Sequence, residues 1–235
     1  KLIQKREKGI IYSVNSWNDS FYMHTNKDAE DFKIEKTKDI NFKKWDTYVP
    51  AKDETLIGGL TFLKNWEIRS EVTNAWGKIF VKNLKDNKEE ELIFSDEEVF
   101  DGGVSLVQKD KNTDLIHISY STPKTQHRVY LYNLRTKEKK LVKEQIIPSG
   151  HNSNDYVVER LECLSHDGRK VPLTITRHKK TKIDGNANVL LYGYGSYGNS
   201  MSPNFSSTRL SLINRDIIWV TAHIRGGLER GMKWW

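Results

Sequence analysis

The chain has 235 residues, 37% apolar and 29% charged, a globular composition that excludes a disordered polypeptide. No apolar run approaches the roughly 18 residues of a membrane span, and the opening "KLIQKREKGI" lacks the apolar stretch of a secretory signal, so no membrane partner and a cytoplasmic location are expected. The formal charge of +7 raises the question of nucleic acid, but the lysines alternate with acids in "KDNKEEELIF" and "RTKEKKLVKE", and no continuous basic stripe forms; no nucleic-acid partner is expected.

The first 145 residues repeat themselves. The runs "GIIYSV" (9–14), "SFYMHT" (20–25), "FKIEKT" (32–37) and "WDTYVP" (45–50) are followed by "LIGGLTFL" (56–63), "NWEIRSEV" (65–72), "KIFVKNL" (78–84) and "EELIF" (90–94). A third set reads "GVSLVQ" (103–108), "DLIHISYS" (114–121), "RVYLYNL" (128–134) and "KKLVK" (139–143). Most alternate apolar and polar residues, the period-2 signature of a strand. Phe21, Ile68 and Ile116 lie 47 and 48 positions apart, and Phe32, Ile79 and Val129 lie 47 and 50 apart. Four short strands at that period describe propeller blades, and charges on alternate positions suggest that one face of each blade meets water. Closed propellers take roughly 4–8 blades, so three leave open edges. Either further blades belong to a longer parent chain, or the edges pair with another chain or a second copy.

The pattern changes across "KEQIIPSGHNSND" (143–155), a linker composition. We divide the chain there, with blades over 1–150 and a different domain over 151–235. "YVVERLECLS" and "RKVPLTITRH" read as strands joined at His166-Asp167-Gly168, a tight hairpin turn. The single cysteine, Cys163, lies in that alternating run and reads as a small half-buried hydrophobe; one cysteine makes no disulfide framework or cysteine-rich metal site. "NVLLY" (188–192) reads as a buried strand, "SSTRLSLINR" (206–215) as a helix capped by serine, and "DIIWVTAHI" (216–224) as a second buried strand before the glycine loop "RGGLERG". Hairpin, strand, long loop, helix, strand is the order in which an α/β-hydrolase sheet begins.

The long loop carries "YGYGSYG" (192–198). No lysine follows the glycines, so it is not a phosphate loop. Gly193, Gly195 and Gly198 match the spacing of a dinucleotide fingerprint, but Pro203 and the intervening polar residues keep a helix from opening there, and no cofactor is expected. Ser196 lacks the glycine two positions before it that a nucleophile elbow needs, because Tyr194 stands there, and G-x-S-x-G occurs nowhere in the chain. An assisting role is left: a tyrosine hydroxyl on a glycine-bent loop can donate to the oxyanion of an acyl-transfer intermediate. The residues alone do not choose among Tyr192, Tyr194 and Tyr197. None of the seven histidines has H-x-x-x-H spacing, so no metal is expected, and His223, at the end of a strand, reads as structural.

"LLYGYGSYG" and "FSSTRLSLINRDIIWVTAHIRGGLERGMKWW", with "FYMHTNKDAEDFKI" and "SHDGRKVPLTITRHKK", resemble the prolyl oligopeptidase family of serine peptidases, above all its oligopeptidase B (protease II) branch. The resemblance runs through nearly the whole chain. It implies a seven-bladed propeller over an α/β-hydrolase domain, and short peptides as substrates, cleaved after Arg or Lys. It implies Tyr194 as the oxyanion donor and Tyr197 and Arg225 as substrate-binding residues; Arg225, Gly226 and Gly227 match a loop near the active centre, Leu228 replaces a third glycine, and Glu229 matches. The nucleophile, aspartate and histidine of the family match nothing in these 235 residues, so we expect a fragment that is inactive alone. The rival expectation is a non-catalytic split- or decayed-gene product whose propeller binds a protein.

Overall fold

A computed structural model describes residues 2–93, 101–107 and 110–235. Strands β1 (Tyr12–Trp17), β2 (Ser20–Thr25), β3 (Lys33–Thr37) and β4 (Asp46–Val49) form the first antiparallel sheet, in sequence order. β5 (Thr55–Leu63), β6 (Trp66–Thr73), β7 (Trp76–Asn83) and β8 (Glu89–Glu91) form the second. β9 (Asp101–Leu106), β10 (Leu115–Ser121), β11 (Arg128–Asn133) and β12 (Lys139–Glu144) form the third. The strand expected over 9–14 begins three residues later, where Trp17 reaches Phe62 and stacks on it at 5.7 Å. The ends of two expected strands, Phe94 and Gln108, lie outside the described residues.

Apolar side chains fill the gaps between successive blades. Tyr22, Ile34 and Val49 of the first sheet pack on Ile57, Leu60 and Phe62 of the second. Trp66, Ile68, Ile79 and Val81 of the second pack on Ile116, Ile118 and Tyr132 of the third. β6 serves both contacts because its side chains alternate between faces.

The face of β6 toward the first blade is not the solvated one that its charges suggest. Glu67, Arg69 and Glu71 are 1%, 3% and 2% exposed. The Arg69 guanidinium donates to both Glu89 oxygens at 2.8 and 2.9 Å, and its Nε donates to Glu71 at 2.9 Å. Lys52, just past β4, caps Glu71 at 2.8 Å, and the Tyr48 hydroxyl donates to Glu67 at 2.5 Å. Burial pushes the Glu67 carboxyl up, against the opposing effect of the Tyr48 hydrogen bond. On β6 the alternating charges therefore form a paired polar layer between blades, with Glu89 of the same blade on Arg69 and Tyr48 and Lys52 from the side of the preceding blade on Glu67 and Glu71.

The fourth sheet pairs β13 (Tyr156–Leu164), β14 (Lys170–His178), β15 (Asn188–Gly193) and β16 (Ile217–Ala222) in the order β13-β14-β16-β15. β15 and β16 are parallel, joined through α1 (Ser207–Ile213). Ser206 caps α1 by accepting from the Arg209 amide, and Leu210 and Ile213 face Tyr156 and Trp219. β15 is not the buried strand its apolar run suggests. Among the described residues it is the sheet edge, paired only with β16, and Val189 and Leu191 are 59% and 67% exposed. Cys163 is exposed too, since β13 forms the opposite edge and its outer residues lack a covering layer among the described residues. No described helix is long and apolar enough to cross a membrane.

Replacing Arg69 with Met should destabilise the fold by about 3 kcal/mol or more, since it strips a buried carboxylate layer of its central cation. Urea unfolding of the two proteins checks this; a loss below about 1 kcal/mol would show that the layer is not stabilising as drawn.

Candidate functional site

Because β15 and β16 run parallel in register, Gly193 opposite Ala222, their C-terminal ends open side by side. Loops at this end of a parallel pair are where α/β sheets place ligands. The loop after β15 carries Tyr194 and Tyr197, and the loop after β16 carries Arg225 and Glu229. The two backbones touch: a Cβ on Gly195 would lie 2.2 Å from the Arg225 carbonyl oxygen, and one on Gly226 would lie 1.4 Å from the Gly195 carbonyl oxygen. Only glycines permit that approach. The Gly198 amide donates to the Gly226 carbonyl at 2.9 Å and locks the pair.

The three tyrosines then differ. Tyr192 ends in a tilted contact with Trp219, ring centres 5.8 Å apart. Tyr197 holds a left-handed backbone, φ 60°, and its side chain is 85% exposed. Tyr194 is 39% exposed, and its hydroxyl makes no hydrogen bond to a described residue. Arg225 turns back to the β13–β14 hairpin, where its Nη1 meets Asp167 Oδ2 at 2.5 Å. The structure thus places Tyr194, Tyr197 and Arg225 on adjoining loops, with Arg225 already paired.

Behind these loops lies a polar seam that the residues alone did not disclose. Arg160, on β13, donates from Nη2 to the Asn74 carbonyl at 2.7 Å and from Nη1 to Thr174 Oγ1 at 2.7 Å and His223 Nε2 at 3.1 Å. Its guanidinium also lies over the Trp76 ring, 5.4 Å from the centre. Asn74 and Ala75 form the two-residue turn between β6 and β7, both with positive φ. Burial lowers the Arg160 pKa to about 10. An arginine only donates, so His223 Nε2 accepts and the ring proton sits on Nδ1, on the side of Glu229 Oε1 at 3.9 Å. Burial, and then the Arg160 charge, lower the His223 pKa to about 4. Glu229 is fully buried and burial raises its carboxyl pKa, opposed by a hydrogen bond from the Met201 amide at 2.8 Å. Its own carbonyl accepts from the Ala75 amide at 2.7 Å.

The last residues complete the seam. Met232 N–H donates to Asp31 at 2.6 Å, Arg230 to Glu54 at 2.6 Å, and the indole of buried Trp234 to the His223 carbonyl at 3.1 Å. Trp234 is buried, and Trp235 is exposed. Among the described residues, no group of three or more His, Cys, Asp or Glu side chains is placed to hold a metal.

A histidine whose folded pKa is depressed stabilises the fold while both states are neutral, and that stability is lost as the pH falls from about 6.5 toward 4. Between pH 7 and pH 4 the protein should lose on the order of 3 kcal/mol more than His223→Gln, with Glu229 and Arg160 present in both. Parallel denaturant titrations across that range measure the difference; equal slopes would place the His223 proton elsewhere.

Three comparisons bear on this arrangement. The family profile described as the prolyl oligopeptidase N-terminal beta-propeller domain matches residues 1–145. Dipeptidyl aminopeptidase BI of Pseudoxanthomonas mexicana is 33% identical over all of this chain and 32% of its own length, and Protease 2 of Moraxella lacunata is 28% identical over all of the chain and 34% of its own. Oligopeptidase B from Trypanosoma brucei, solved with covalently bound antipain in a closed form, superposes on 99% of the chain and 34% of its own with a TM-score of 0.90 and 30% identity. The chain spans about a third of the length of the curated relatives it matches. On the profile match and the sheets that realise it, the chain belongs to the prolyl oligopeptidase family.

Proposed function

We propose that the chain is part of a serine oligopeptidase: residues 1–150 the C-terminal blades of its propeller, residues 151–235 the first half of its α/β-hydrolase domain. The parent hydrolyses short peptides after Arg or Lys through an acyl-enzyme. The observation that carries the reading is the loop between β15 and α1. β15 is the third strand of its sheet in chain order and α1 the only α-helix among the described residues, an order that supports reading this loop as the one where an α/β-hydrolase keeps part of its oxyanion hole. Tyr194 on it has a hydroxyl that is unengaged by described residues and half open to solvent.

In this reading Tyr194 donates to the oxyanion beside the backbone N–H that follows the catalytic serine, and glycines let substrate approach. Tyr197 lines the bound peptide. Arg225 contacts it after exchanging Asp167. Serine, aspartate and histidine of the triad match no motif in the 235 residues, so the chain is inactive alone, and the exposed Val189 and Leu191 on β15 are the seat for the rest of the sheet, in the same polypeptide or in a complementary one. The same open edges support self-association as a non-catalytic protein-binding module, which is the second reading. The parent works in the cytosol.

Changing Tyr194 to Phe in the native polypeptide should lower kcat by about 10²–10³-fold with little change in KM, since an oxyanion donor acts on the transition state. Steady-state assays on peptides ending cleavage sites in Arg, Lys, Pro or Ala check both the donor and the specificity. Unchanged kcat would remove Tyr194 from catalysis, and preference for Pro or Ala would remove the basic specificity.

A further inference from the structure

Among the described residues, Glu229 is the one carboxylate fully buried beside the site loops. Burying an ionisable side chain is unfavourable unless the structure uses it. Its Oε1 accepts from the Met201 amide at 2.8 Å. Its Oε2 occupies the space a side chain at Gly227 would need, since a Cβ there would lie 2.0 Å away. The loop that carries Tyr194 runs without regular structure from Tyr194 to Ser206. Such a length is mobile unless tied.

The ties are few and can be followed. Gly198 N–H bonds Gly226, Leu228 N–H bonds Ser200 Oγ at 3.1 Å, and Phe205 N–H bonds Ser121 Oγ on the third blade at 2.9 Å. Glu229 ties Met201, next to the loop's midpoint, and among these described ties it is the one whose residue also holds the second blade, through Ala75 N–H on its carbonyl. That turn is itself set firmly. Ala75 is 7% exposed and adopts φ 64°, a left-handed conformation costing a non-glycine residue roughly 1 kcal/mol or more.

We propose that Glu229 is a positioning residue: its carboxylate, seated by the propeller turn at Asn74–Trp76, fixes the loop that aims the Tyr194 hydroxyl. The proposal rests on the reading of Tyr194 as oxyanion donor. Its side chain touches no reacting atom. What matters is an acceptor at one place, not a charge. Glutamine keeps the acceptor for Met201; aspartate keeps the charge but withdraws the acceptor by one methylene; alanine removes both.

The test is a kinetic cycle on the native polypeptide with one peptide substrate. Glu229→Ala and Glu229→Asp should each lower kcat by about 10²-fold at nearly constant KM, the scale of a 1 Å misplacement, while Glu229→Gln restores most of the rate. In a Tyr194→Phe background, Glu229→Asp should lower kcat less than about threefold further, because the group it aims is gone. Hydrogen exchange at the β16 amides, unchanged among variants, reports an intact sheet. If Glu229→Ala does not fold, the Asp and Gln variants carry the comparison. A full additional loss in the Tyr194→Phe background, or failure of Gln to restore the rate, would overturn the positioning role while leaving Tyr194 as donor. An unaltered kcat in Tyr194→Phe alone would overturn the donor and the proposal with it.

Discussion

The guanidinium of Arg160 reaches from the fourth sheet to the carbonyl of Asn74 on a propeller turn and donates on the way to Thr174 and His223. That arrangement constrains much of what surrounds it. A half-buried cation that only donates favours a neutral His223 with its proton on the far nitrogen, Nδ1. It also holds the β6–β7 turn close enough for Ala75 N–H to bond Glu229. Removing the guanidinium would leave the Asn74 carbonyl without its donor from the fourth sheet, and would take from the His223 ring its main reason to be uncharged besides burial. The seam is polar and specific instead of greasy, which fits two parts that must meet in one register.

Between the blades a different balance operates. Apolar side chains supply most of the buried area, while Glu67, Arg69 and Glu71 insert a charged layer between the first and second blades. Such a layer is weak evidence for stability by itself, because desolvation offsets most of the attraction. It does punish misregister: sliding β6 by one residue would bury Trp66, Ile68 and Ser70 against Tyr48 and Lys52 and turn three charges into the apolar core shared with the third blade.

Much of this was legible in the residues. The three sets of alternating strands and their spacing of 47–50 positions sufficed to find every strand of the blades among the described residues, because turn spacing and period 2 are local properties. What lies opposite a strand is not local. Alternation in "NWEIRSEV" cannot say whether the charged face meets water or Tyr48 and Lys52 of the preceding blade. Likewise the apolar run "NVLLY" predicts burial, but β15 is a sheet edge and Leu191 is open. The site loop was visible from its glycines, and the choice among its tyrosines was not; it took the Trp219 contact of Tyr192 and the left-handed backbone of Tyr197 to separate them. Arg160 gave no signal at all, since its partner carbonyl lies 86 residues away.

The central claim is that this chain carries part of a serine oligopeptidase site and not the nucleophile. Treating source-cell lysate and the purified 235-residue chain with a fluorophosphonate probe, then detecting both with an antibody to the chain, tests it directly. The account predicts a labelled native band well above 27.4 kDa and no label on the chain alone. Labelling of the chain itself, or a native band at 27.4 kDa that takes no label even with its partners present, would contradict it.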